Sequence, residues 1–113
     1  MHEYSIIEAL LRQVESAVRA HGATSVQKIR VAIGEQSGVE PDLLATAYDL
    51  FRERTVCASA GMEIRTVPVL WQCPSCGEEI PRGVALRCTT CGLPARLAAG
   101  DEIILERIEM EVA

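Results

Sequence analysis

Two short stretches, "CPSCG" and "CTTCG", place Cys73, Cys76, Cys88 and Cys91 in the spacing C-x2-C-x11-C-x2-C. Each pair fits a tight turn, so both of its sulfurs can face one centre. Gly77 and Gly92 follow directly and let the backbone turn where amides can approach thiolates. Four thiolates in a tetrahedron suit Zn(II), with Zn–S near ~2.3 Å. Such a shell has no open position for a substrate, so the zinc is structural. Its binding energy would be folding energy for a segment with little core of its own. Two other readings share these ligands: an iron centre and a CxxC redox pair. Two matched pairs argue against a lone redox motif, and iron can load at a four-sulfur site. Cys57 stands apart from both pairs and reads as an incidental thiol, buried or reduced.

The second place where chemistry can gather is the start of the chain, "MHEYS". The α-amine of Met1, the amide nitrogen of His2 and the imidazole of His2 lie within a few bonds of one another. The amide of Glu3 comes next. Ni(II) and Cu(II) favour square-planar nitrogen sets, and an anchoring amine and imidazole let them displace amide protons. Zn(II) prefers a tetrahedron and gains less. Two readings therefore stand for His2, a nickel or copper claw and an exposed terminal histidine. Residue 2 is large, so the initiator methionine is expected to be kept and to supply the amine. The other histidine, His21, falls at the end of the first helical stretch, where an imidazolium would meet the favourable end of the helix dipole.

The elements that must hold these groups follow from apolar spacing. Ile7, Leu10, Leu11, Val14, Ala17 and Val18 recur at helical intervals. Ser5 with Glu8 forms a capping-box signature, which predicts a helix over residues 5–20 that leaves residues 1–4 ahead of it. Ile29, Val31 and Ile33 alternate with Lys28, Arg30 and Ala32 as in a half-buried strand. A glycine-containing loop leads to Pro41 at the first position of a second helix, which runs to about residue 54. Glu40, just before it, reads as a loop or cap residue, with a lesser claim to lie near a metal. Residues 62–71 are extended, with an irregular point at Pro68. Ile108, Met110 and Val112 alternate with charged residues in a last strand over 103–112. The fold class is thus α+β: a small sheet of about three strands with two helices, plus an inserted zinc-ribbon-like module. Residues 1–71 with 101–113 form the body and 72–100 the zinc-binding module. The strands that flank the module are expected side by side.

The chain has 113 residues, a formal charge of −5 and an aromatic content of 4%. One compact core with an appendage fits that length. An acidic chain with few stacking platforms lacks the footprint of a nucleic-acid binder. No apolar run reaches the ~20 residues of a membrane span, and the start lacks the regions of a signal peptide. A cytoplasmic location is expected, where cysteines serve metal ligation more than disulfides. No nucleophile–base pair, phosphate-cradling loop or open metal site with a general base is present, so no enzyme is expected.

"MHEYS", "IGEQSGVEPDLL", the paired cysteine module and "GDEIILERIEMEV", in this order, resemble the HypA/HybF family of hydrogenase nickel-incorporation proteins. The resemblance covers nearly the whole chain. It implies a metallochaperone with Ni(II) as transient cargo for [NiFe]-hydrogenase, with urease as a further client in some organisms. It implies as partners a HypB-type GTPase and the hydrogenase large subunit. The family's nickel-binding histidine falls on His2 and its neighbouring terminal residues on Met1 and Glu3, which makes residues 1–71 with 101–113 the nickel-binding domain. Its zinc ligands fall on Cys73, Cys76, Cys88 and Cys91. Some relatives recruit a further histidine from the zinc module, but none lies between Cys73 and Gly100 here. The competing reading is a zinc-ribbon adaptor without nickel function.

Overall fold

The structure, a computed structural model, describes residues 2–81, 83 and 85–112, with His2 placed by its backbone. The first helix, α1, spans His2–His21. Its buried stripe is Ile7, Leu10, Leu11 and Val14, spaced three and four residues apart so that one face is dry. Gly22 ends it in the left-handed region, at φ 62°. Strand β1, Ala23–Gly34, follows at once. The second helix, α2, spans Pro41–Phe51 with proline at its start, and buries Leu44, Ala47 and Tyr48. Strand β2 is Gly61–Val67 and β6 is Ile103–Val112. The first sheet has the order β2-β1-β6, with β2 parallel and β6 antiparallel to β1.

Both helices cover one face of this sheet. Ile7, Leu10 and Val14 of α1 and Leu44 and Tyr48 of α2 meet Ile29, Val31 and Ile33 in a single core. The rings of Tyr4 and Phe51 pack edge to face at 4.8 Å, which ties the first turn of α1 to the last turn of α2. The other sheet face is charged: Glu63 takes Lys28 at 2.9 Å and Arg30 at 3.3 Å, and Arg65 pairs with Glu106.

A second sheet carries the cysteines. Strand β3, Leu70–Gln72, lies between β4, Glu79–Ile80, and β5, Arg96–Ala99. It joins the first sheet through a glycine contact. A Cβ on Gly34 would stand 2.3 Å from the carbonyl of Gly100, whose own φ is 98°. The absence of that Cβ lets the Gln36 amide donate to the Gly100 carbonyl at 2.6 Å. The Gly34 amide donates to Glu102, and the Val69 amide donates to the Glu35 carboxylate at 2.9 Å.

Three expectations need correction. Helix α1 starts at His2, not near Ser5, because Tyr4 and Ile6 pack against the core and hold the first turn in place. Helix α2 stops at Phe51, and Arg54 beyond it takes φ 65°, outside any helix. The strands that lead into and out of the module are not neighbours in the first sheet. The β1–α2–β2 crossover sets β2 on one side of β1, and β6 returns on the other. Side-by-side entry and exit occur one step further on, where β3 pairs with β5.

Candidate metal centre

The four cysteines lie on two turns built to one plan. The Cys73 amide donates to the Glu78 carbonyl and Gly77 donates back to Cys73. Likewise the Cys88 amide donates to Leu93 and Gly92 donates back to Cys88. Each turn closes through a glycine with positive φ, Gly77 at 76° and Gly92 at 69°. A side chain there would strain the loop that aims the sulfurs.

The four sulfurs all lie within 4.8 Å of one another, and Cys76 Sγ stands 3.8 Å from Cys88 Sγ. Thiolates at the ~2.3 Å Zn–S distance occupy corners about 3.8 Å apart, the edge of a tetrahedron of that radius. Cys73 and Cys88 are buried, against Ile80 with Trp71 and Ala95 around them, while Cys76 and Cys91 face solvent. The donor set is all sulfur and closed, which fits a structural zinc and leaves no ligand position for a substrate. Amides of Cys76 and Ser75 point at the Cys73 sulfur and lower its thiol to about 7 in the metal-free chain. The Cys91 thiol, hydrogen-bonded to the Cys76 sulfur, is pushed up to about 12. Cys73 therefore gives up its proton more readily than Cys76 or Cys91, and metal binding must displace the protons those two retain.

One participant escaped the sequence reading. Glu78 places Oε2 3.9 Å from Cys88 Sγ and 3.4 Å from the Thr90 hydroxyl. Its position two residues after Cys76 was the available signal, but spacing alone cannot say which carboxylate folds back over a sulfur. Cys57 stays out of the cluster. It is fully buried beneath α2, where burial raises its thiol above the ordinary value. The adjoining Ala60 carbonyl accepts from the Tyr48 hydroxyl at 2.7 Å and from Arg52 at 2.6 Å.

At the other candidate site, Met1 and the side chain of His2 lie outside the described residues. Glu3 is half-buried in the first turn of α1. The earlier helix start still leaves the nitrogens available, because the first four amides of an α-helix have no acceptor within it. Those of His2 and Glu3 are among them. His21 is the last residue of α1, as expected. Glu40 is the residue before α2, extended at φ −83° and ψ 120°, and makes no side-chain cap bond.

A two-layer α+β body bearing a four-cysteine knuckle module defines a small metal-binding protein of two sheets, with one four-sulfur group able to hold an ion among the described residues. Residues 1–110 match the family described as hydrogenase/urease nickel incorporation, metallochaperone, HypA, and the chain belongs to that family. Among its relatives, hydrogenase maturation factor HypA of Wolinella succinogenes is 43% identical over 114 residues, covering 98% of this chain and 96% of that one. HypA of Aquifex aeolicus is 37% identical, covering 99% of each chain. The fold agrees: the solution structure of the Ni metallochaperone HypA from Helicobacter pylori superposes with TM-score 0.77 at 27% identity, over 98% of both chains. A second solution structure of a HypA protein superposes with TM-score 0.83 at 27% identity, over 100% of this chain and 98% of the other.

Proposed function

We propose that this chain carries Ni(II) on its terminal segment for the maturation of [NiFe]-hydrogenase, the first of the two nickel enzymes, hydrogenase and urease, that the family serves. The observation that carries the reading is the chain-long family match, together with a first helix that begins at His2 and so leaves the terminal amides without helical acceptors. The α-amine of Met1, the amide nitrogens of His2 and Glu3 and the imidazole of His2 supply a planar nitrogen set. The positive end of a helix repels a cation. Loss of two amide protons cancels the two charges of Ni(II), which makes the terminus a workable seat for this ion and a poor one for ions that leave amides protonated.

Cys73, Cys76, Cys88 and Cys91 hold Zn(II) as a structural ion. It fixes the second sheet and takes no part in holding the cargo. The protein acts as a carrier and not as an enzyme. A HypB-type GTPase supplies the nucleotide-driven step, and the hydrogenase large subunit receives the metal. This work belongs to the cytoplasm; no helix among the described residues is long and apolar enough to cross a membrane. Release requires only that protons return to the amides and His2, so nickel affinity falls with pH through the imidazole range.

A strain lacking the native gene tests the reading when complemented with the wild-type chain and with His2→Ala. The variant should leave hydrogenase without nickel, with activity restored by excess nickel in the medium. Full hydrogenase activity from His2→Ala at limiting nickel would contradict it and favour an adaptor whose work ends at the zinc module.

A further inference from the structure

We propose that the open edge of β2 and the groove beside it form a docking strip for an extended segment of a partner protein that carries a basic side chain. The two edges of the first sheet differ. Strand β6 follows β1 with three register shifts, and such irregularities guard an edge against pairing. Strand β2 follows β1 in unbroken register from Gly61 to Val67. The Val67 carbonyl accepts from the Glu35 amide at 2.8 Å and so faces β1. By the alternation of a strand, the amides and carbonyls of Met62, Ile64 and Thr66 face the open side. This row can accept a further strand, a mode of recognition in which main-chain bonds give affinity and alternate side chains give selectivity.

At its C-terminal end this edge opens into a groove of about 520 Å³ between β2 and the start of α2. Ile33, Val39 and Pro41 give it an apolar floor, Thr66 borders it, and Glu35 and Glu40 are its charged residues. Among the described residues no lysine or arginine lines it. The cations of β1 and β2 are engaged on the open face of the sheet instead, Lys28 and Arg30 with Glu63 and Arg65 with Glu106. Glu35 accepts from the Val69 amide, whereas Glu40 closes no cap bond on α2. A strand added to β2 therefore runs toward a carboxylate at the rim of an apolar groove. Lysine or arginine meets that carboxylate with a charge-assisted bond, an apolar neighbour fills the floor, and an acidic segment is repelled.

The test pans a phage-displayed random heptapeptide library on the zinc-loaded protein and measures the synthesised hits on 15N-labelled protein. Hits should combine strand-forming residues with a lysine or arginine. They should slow amide exchange at Met62, Ile64 and Thr66 more than about tenfold, the scale of one tenfold-affinity contact. Glu40→Lys should weaken those hits about tenfold, and its own panning should select aspartate or glutamate. Thr66→Pro removes an outward amide that the native ladder does not use, so it should keep zinc and helix content yet lose the hits. The proposal is overturned if panning yields no enrichment, if protection appears along β6 or on α2 instead, or if Glu40→Lys selects the same peptides. Self-association of the free protein through β2 would also overturn it, by making a second copy the occupant.

Discussion

Replacing Cys88 by serine removes one of four sulfurs and leaves the rest of the chain's chemistry intact. Cys88 is 3% exposed and forms the small second core with Cys73 and Ile80, against Trp71 and Ala95. Structural zinc binding in small modules is worth about 10–16 kcal/mol, so one thiolate in four carries about 2.5–4 kcal/mol, or roughly a 10²–10³-fold loss of zinc affinity. The remaining core is too small to hold β3, β4 and β5 together without the metal. The chain's single tryptophan, Trp71, reports this directly because it pairs with Ile80 and Leu97 across the second sheet. Titration against a chromophoric chelator should show the affinity loss. Trp71 emission should shift to the red and broaden in the variant, while far-UV dichroism keeps the signal of α1 and α2, whose core lies in the other sheet. Zinc affinity within threefold of wild type, or unchanged Trp71 emission in a zinc-free variant, would refute the assignment of Cys88 as a ligand that holds the module.

Two further outcomes follow from the geometry. The Cys73 thiol sits near 7, below its ordinary value of 9.0, so its ionised form favours the folded module above pH 9, and that gain is lost as pH falls through 7. Zinc loading of the metal-free protein should release more protons per ion at pH 6 than at pH 8, as read by a pH-indicator dye, because Cys73 is protonated at the lower value; a release that does not change between the two would contradict the lowered Cys73 thiol. Gly34→Ala puts a methyl group 2.3 Å from the Gly100 backbone, which must separate the sheets. It should lower stability by about 2–4 kcal/mol, seen as a drop in urea midpoint, with zinc content retained; a change below about 0.5 kcal/mol would show that the contact is not tight.

The cysteine knuckles were legible because their chemistry is local: ligand, turn and glycine occupy five consecutive residues, and the pattern occurs twice. Alternation at Ile29, Val31 and Ile33 announced the central strand for the same reason, since one buried face imposes a period of two. The start of α1 was not legible. Ser5 and Glu8 mimic a capping box, but Tyr4 meets Phe51 and Ile6 meets the core from across the fold, and these contacts extend the helix to His2. Neighbour order in the first sheet was hidden likewise. Residues 62–71 and 103–112 look like partners, yet β1 lies between them because a parallel crossover and an antiparallel return use its two sides. Glu78 near Cys88, and the fit of Gly34 against Gly100, depend on distances between segments that no spacing along the chain encodes.

The central claim is that the free terminus itself seats nickel. Titration of untagged protein with Ni(II), followed by the visible absorption of square-planar nickel, should saturate at one ion per chain beyond the zinc site. A Gly-Ser extension ahead of Met1 turns the terminal amine into an amide while leaving the His2 imidazole, α1 and the four cysteines in place. The extended protein should keep its zinc and lose this absorption, and His2→Ala should do the same, whereas His21→Ala, altered at the far end of α1, should bind as wild type. An unchanged spectrum and affinity in the extended protein would contradict the account and remove the terminal amine from the ligand set.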